Sequence, residues 1–432
     1  MSASDDHQWY IEEITATEQV KDPVDVAGGH PAESADSEAE TAPKASVTND
    51  NGTSAGGTVD TPLSKERQTV TGSEIRDTRA QPTLSCAQSR RSPRETWSCK
   101  TIGASSSIRP PYPRGGCSWT KVGPRYLLFG GADTSQQHFA DIHSFNAASG
   151  KWEETAVIGS PPSPRSGHSA VAFGESLVIY GGMNGQDGVT FNDLYELRPG
   201  SAESADFMEW VALPSADMPP RNSHAAVLDG DTMIIIGGAS PEGQTDEIFA
   251  VSLSRSSHLS CEEVSCKPDQ SRATERRDSD GIRAGLPTAR EMHSACVCNL
   301  KETKEASATK ILVMGGRSAK GVLRDLFSLD TGSWTWTRLQ DAPVARCAHS
   351  ACFVDSAGIM AVYGGWDGGT TVANDLHLYH MRYGGWTTPQ ICPQPVGRFA
   401  HVACAVVEGG LLVFGGVNPG EDLEDVVLLS PA

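Results

Sequence analysis

The chain has 432 residues, 38% of them hydrophobic and 21% charged, with 44 glycines and 26 prolines. That is globular material rich in turn formers, enough for two or three domains or one large β-architecture. A formal charge of −19 argues against a general binder of nucleic acid or anionic membrane. No run of about 18 apolar residues exists to span a bilayer, and Met1 to Tyr10 lacks the basic and apolar regions of a signal peptide. The 11 cysteines then read as reduced thiols of a cytoplasmic protein, with the nucleus as the alternative compartment.

Residues 1–80 hold 16 Asp and Glu against 6 Lys and Arg, a net of −10, with hardly an aromatic after Tyr10. Such a segment cannot bury enough apolar area to offset about 1–2 kcal/mol per residue of backbone ordering. A basic run, Ser89-Arg90-Arg91-Ser92-Pro93-Arg94, closes it. The expected organisation is a disordered acidic tail over 1–94 and a folded unit over 95–432.

Beyond the tail the chain repeats. Six short apolar runs end in Gly-Gly, at Gly130-Gly131, Gly181-Gly182, Gly237-Gly238, Gly315-Gly316, Gly364-Gly365 and Gly415-Gly416. Their first glycines are spaced 51, 56, 78, 49 and 51 residues apart, a period near that of propeller arrays. Ahead of the pairs stands Arg-x-x-His: Arg165/His168, Arg221/His224, Arg290/His293, Arg346/His349 and Arg398/His401, with Arg114 and Cys117 in the first unit. After each pair comes an acidic residue at the start of a new apolar run: Asp141, Asp193, Asp246, Asp325, Asp375 and Asp425. A tryptophan usually follows: Trp152, Trp210, Trp334 or Trp336, and Trp386.

Each unit therefore predicts four strands: one after Arg-x-x-His, one ending at Gly-Gly, one starting near the acid and one carrying the Trp. Short continuous apolar runs fit strands packed on both faces. The last unit stops after its third strand, and Glu95 to Gly103, with Trp97, matches the layout of a Trp-bearing fourth strand. An N-terminal strand is thus expected to complete the last blade and remove an open sheet edge.

The pattern closely resembles the kelch repeat over about 95–432. The resemblance implies an all-β fold, a six-bladed kelch β-propeller closed by an N-terminal strand. It also implies a protein-interaction module, with a protein or peptide held on the loop face around the central channel.

The recurring histidines and tryptophans read as structural, and Cys296, Cys352 and Cys404 as small buried apolar residues. No HExxH, GxSxG or Walker sequence occurs. The Glu-x-x-x-Asp-x-x-x-His iron motif of kelch-like plant specifier proteins is absent too: the nearest approach, Glu421-x-x-x-Asp425, has Leu429 where His is needed. The expectation is therefore no catalytic residue, metal or cofactor, with a metal-assisted specifier-type enzyme at the channel mouth as the rival reading. Candidate partner contacts are the six repeat arginines, Arg114, Arg165, Arg221, Arg290, Arg346 and Arg398, expected as a ring at the mouth, together with His138, Asn184, Trp366 and Asp367 on the turns. Arginine forks suit carboxylate and phosphate, so the expected partner is an acidic or phosphorylated protein segment, with no nucleic acid or membrane, bound by a monomer. Plain bracing of the loops is the competing role for the arginines. The long connection Lys267 to Leu286 is expected over the same face.

Overall fold

The computed structural model describes residues 95–102, 108–200, 207–215, 218–254, 259–270, 285–298, 309–406 and 409–432. The acidic tail and the greater part of the 267–286 connection lie outside the described residues.

Six antiparallel sheets follow one another along the chain, each built from the four strands of one repeat. In the second blade these are Ser169–Phe173, Ser176–Tyr180, Leu194–Pro199 and Phe207–Leu213. The second strand of each blade is buried along nearly its whole length, which is why it reads as an unbroken apolar run. Its residues alternate between the two neighbouring seams. In the third blade Met233 and Ile235 pack toward the second blade, while Ile234 and Ile236 pack toward the fourth. The same alternation gives one buried cluster at each of the six seams.

Closure occurs as the sequence predicts. Thr96–Ile102 pairs antiparallel with Val426–Pro431, Cys99 opposite Leu429 and Ile102 opposite Val426. The register refines the expectation about tryptophan. Trp152, Trp210, Trp336 and Trp386 each face the fourth residue of their third strand. In the sixth blade Cys99 holds that position and Trp97 lies two residues further out, opposite Pro431; in the third blade Cys261 holds it. Trp97 is nonetheless buried, in the seam between the fifth and sixth blades.

Alternate blades carry a fifth strand. Ala156–Ile158, Lys267–Pro268 and Gln390–Cys392 leave the first, third and fifth blades and pair parallel with the outer strands of the second, fourth and sixth. Three outer edges are thereby covered, which blunts the open-edge hazard of a propeller.

The Gly-Gly pairs explain themselves geometrically. Both glycines adopt positive φ, 65° and 96° at Gly181 and Gly182, a region that side chains rarely enter. A Cβ on Gly182 would sit 2.8 Å from the His168 Cβ, and one on Gly181 2.5 Å from the Arg221 carbonyl of the next blade. The second glycine of every pair donates its N–H to the next blade's arginine carbonyl, from Gly131 to Arg165 and round to Gly416 and Arg114, at 2.8–2.9 Å. Absence of a side chain is what lets neighbouring blades join there.

Candidate interaction surface

The repeat arginines start at the inner-strand entrance, as expected, but turn inward. All six are buried, with exposures of 0–3%. In Arg165 the Nε donates to the Ser163 carbonyl (2.9 Å) and Nη1 to the Gly181 carbonyl (2.8 Å), while Nη1 and Nη2 fork onto the two Asp193 oxygens at 2.5 and 2.9 Å. Arg114, Arg290 and Arg398 repeat all of this with Asp141, Asp325 and Asp425. Arg346 makes the same contacts to the Gly364 carbonyl and Asp375 without the Nε bond. A guanidinium so far from water needs a carboxylate and hydrogen-bond acceptors, and this clasp supplies both.

The sequence expectation for these arginines is therefore corrected. They form a buried ring that ties each second strand's end to the third strand's start. Their forks are engaged by carboxylates and carbonyls of their own blade rather than turned to solvent. The third blade departs from this pattern. Its clasp carboxylate is Glu247, not Asp246, because Glu247 occupies the position directly before the third strand. The longer side chain meets Arg221 through one nitrogen, Nη2, while Nη1 turns to the Pro220 carbonyl and Nε has no hydrogen-bond partner.

Inside the arginine ring lies a second belt. The residue before each repeat His, or before Cys117, has φ of 50–64°: Gly116, Gly167, Ser223, Met292, Ala348 and Ala400. Each donates its N–H to the carbonyl of its counterpart in the preceding blade, and Gly116 closes the circle on Ala400, at 2.7–2.9 Å throughout. Four non-glycine residues accept the left-handed conformation, unfavourable by roughly 1 kcal/mol each, to complete this belt of amides. The histidines beside it bridge blades as well. His168, His224, His349 and His401 reach the hydroxyls of Ser118, Ser169, Ser294 and Ser350 on the preceding blade at 2.7–2.9 Å. Ala225 stands where His293 would find its serine. Burial holds these four imidazoles down to about 3, with nearby arginines adding to the effect, and keeps His293 well below its ordinary range. They are neutral braces around a cavity of 250 Å³ at the channel. Burial likewise pushes the Cys117 and Cys352 thiols up to about 12, so both stay protonated. Among the described residues, no three His, Cys, Asp or Glu side chains gather so as to hold a metal ion.

The four turn residues divide. Trp366 is 3% exposed and donates Nε1–H to the Gly369 carbonyl (2.8 Å), and Asn184 is 6% exposed and accepts the Gln186 N–H (3.0 Å). Both shape their own turns and are removed from the contact surface, because each closes a tight turn from inside. Asp367 is exposed and accepts the N–H groups of Gly369 and Thr371. His138 is half-buried and lies against the neighbouring turn at Gly185. The first and last blades meet here too, where Asp422 accepts the N–H and hydroxyl of Thr134 at 3.0 and 2.7 Å.

Sequence reasoning passed over three exposed apolar residues, Tyr112 (50% exposed), Val344 (42%) and Val396 (47%). All stand two residues before the repeat arginine, at the entrance of the inner strand. Alignment on the arginines reveals that shared position, but exposure decides its meaning.

The sequence profile of the Attractin/LZTR1 β-propeller family matches residues 126–427, about 70% of the chain. The chain belongs to this family. Its repeats are kelch repeats, and the propeller is the six-bladed all-β ring described above. Similar proteins include the leucine-zipper-like transcriptional regulator 1 homolog of Drosophila melanogaster, 28% identical over 67% of this chain and 28% of that protein. Acyl-CoA-binding domain-containing protein 5 of Arabidopsis thaliana is 35% identical over 37% of this chain and 23% of its own length. Human host cell factor 1 is 28% identical over 62% of this chain and 12% of its own. The chain thus spans 12–28% of the length of these relatives. No helix among the described residues is long and apolar enough to cross a membrane.

Proposed function

We propose that this propeller is a protein-interaction module that holds a protein or peptide partner on the face formed by the turns after Gly-Gly and the loops before each arginine. The observation that carries the reading is the division of labour between the repeat positions and this rim. The arginines are engaged in bracing strands within each blade and the histidines and glycine pairs in joining blades, whereas the loop face presents short hairpins, such as Ala239–Ser240 with Gly243–Gln244 and Val417–Asn418 with Glu421–Asp422, whose sequences differ from blade to blade. Rigid rings that carry variable turns suit recognition. The partner contacts assigned here are Asp367 and His138 on the turns, with the loop residues preceding each arginine. The module acts as a monomer in this reading, and it needs no cofactor.

Site-specific photo-crosslinking in cells tests this. A photoreactive residue at Gln186 or Asp367 should yield discrete protein adducts, while one at Glu175 or Ser356, on the turns at the other end of the strands, should not. Adducts confined to Glu175 and Ser356 would overturn the reading.

A further inference from the structure

The loop face is not uniform, and its asymmetry specifies a partner chemistry. We infer that the arc formed by the fifth, sixth and first blades docks a protein segment in which apolar side chains are flanked by lysine or arginine. The inference rests on the interaction reading above and narrows it.

Four observations converge on that arc. Val344, Val396 and Tyr112 occupy one repeat position on three successive blades, and each is 42–50% exposed. At the same position the second, third and fourth blades carry Ser163, Pro219 and Thr288. Tyr112 is also held in place. The Arg109 guanidinium lies 4.2 Å over its ring and donates to its hydroxyl (2.9 Å), the Phe139 ring lies parallel to it at 6.4 Å between centroids, and the buried Arg114 covers Phe139 at 4.0 Å. A rigid exposed aromatic loses little freedom on binding, the property that makes Tyr a frequent anchor.

The floor of the arc is apolar. Cys347, Trp366, Phe399 and Val417 form a buried cluster where the fifth and sixth blades meet the channel mouth. On the fourth blade the corresponding pair is Glu291 and Arg317, joined at 2.8 Å, with Gln244 of the third blade also on Glu291 (2.8 Å). The mouth is thus apolar at the fifth and sixth blades and charged at the fourth.

Charge supplies the last element. The turns of the arc expose Asp367, Glu421 and Glu424, and Asp422 lies among them half-exposed. The exposed cations beside the anchors are engaged: Arg109 is stacked on Tyr112, and Arg324 and Arg338, next to the Val344 loop, both face Asp341. With the repeat arginines buried in their clasps, the arc offers apolar anchors inside an acidic border. A segment with the reverse arrangement, apolar side chains beside basic ones, matches it in both respects. An acidic segment would meet like charge at Asp367, Glu421 and Glu424.

The test uses a phage-displayed library of random peptides selected on the full chain at low salt, followed by affinity measurement with individual synthetic peptides. Enriched sequences should pair Leu, Ile, Val or Phe with flanking Lys or Arg. Their affinity should fall at least tenfold for the combined Tyr112→Ser, Val344→Ser and Val396→Ser variant. A like fall is expected for the combined Asp367→Lys, Glu421→Lys and Glu424→Lys variant. Both should melt as the parent does, since the changed residues are exposed. Asp187→Lys with Glu242→Lys, on the second and third blades, should leave affinity unchanged. Enrichment of acidic peptides overturns the inference. So does binding that only the Asp187 and Glu242 changes weaken, an outcome that leaves the interaction reading standing. Failure to enrich any peptide, or binding that no loop-face substitution alters, overturns both.

Discussion

The buried clasp ring and the exposed rim are built from adjacent residues and obey opposite rules. In the ring, Arg165 and Asp193, Arg290 and Asp325, and Arg398 and Asp425 reproduce one geometry with 0–2% arginine exposure. On the rim, two residues before those arginines, Ser163, Thr288 and Val396 share the carbonyl that accepts the arginine Nε–H and differ in side chain. What recurs in every blade braces that blade or joins it to the next, and what differs between blades meets solvent. In a repeat protein, then, periodicity marks the residues that hold the array together, and departures from it mark the contact surface.

The largest expected effect tests the ring from its seam. Deleting residues 1–104 removes the closing strand and Trp97, which is 5% exposed. It opens the fifth-to-sixth seam and bares the edge of Val426–Pro431. Loss of one buried Trp alone costs about 3–5 kcal/mol, so the melting temperature should drop by at least about 4–7 °C in a folded unit of this size. Deleting residues 1–94 leaves every described strand in place and should change it little. Equal melting of the two truncations would break the closure account.

Acid acts on the same ring. The repeat histidines are neutral in the folded chain, held down to about 3 at His168, His224, His349 and His401, whereas in the unfolded chain they titrate near 6.5. The unfolded state therefore takes up protons first as pH falls. Stability should be intact above about pH 6.5 and decline steadily from there toward pH 3, by up to about 1.4 kcal/mol per pH unit for each histidine. Asp141 and Asp375 act in the same direction at the acid end. Burial raises their pKa, but hydrogen bonds from His143 and Arg114, and from His377 and Arg346, outweigh it and hold both carboxyls below their usual range. Urea midpoints at pH 7.0, 6.0 and 5.0 measure this, and a flat series would contradict neutral, buried imidazoles.

A smaller effect comes from repairing an irregular blade. Ala225→Ser places a hydroxyl where His293 lacks one, and the four existing His–Ser bridges predict a gain of about 0.5–1.5 kcal/mol. Denaturant midpoints read it, and a loss would show that the third blade differs in more than this one atom. The smallest effect belongs to the rim. Glu421→Ala or Lys320→Ala, both exposed, should shift stability by less than about 0.5 kcal/mol. A shift beyond about 1 kcal/mol would erase the contrast between rim and ring.

Much of the ring is legible in the sequence, because Gly-Gly, Arg-x-x-His and the following acid recur in phase and each has a steric or electrostatic reason to do so. Blade number, closure by the strand around Trp97, and the structural role of the histidines all follow from that phase. Depth does not. Arginines at one repeat position must form a ring about the axis, yet only the fork onto Asp193 and its counterparts shows that the ring faces inward. Where a substitute stands in, spacing misleads: Glu247 replaces Asp246 in the clasp, and Cys99 and Cys261 hold positions that Trp fills elsewhere. Trp366 misled through its type, since its position on an exposed turn says nothing of the inward hydrogen bond to Gly369. The alternating fifth strands leave no periodic mark, because they arise from loop segments of three residues or fewer.

The central claim is that the repeat arginines hold the propeller together and contact no partner. Equilibrium urea denaturation of Arg165→Ala tests it most directly. Removal of the guanidinium leaves the Asp193 carboxylate and the Gly181 carbonyl without their donor, so the account predicts a loss of about 3–5 kcal/mol and a matching fall in the midpoint. A midpoint equal to that of the parent chain would contradict the account and return the arginine ring to the contact surface.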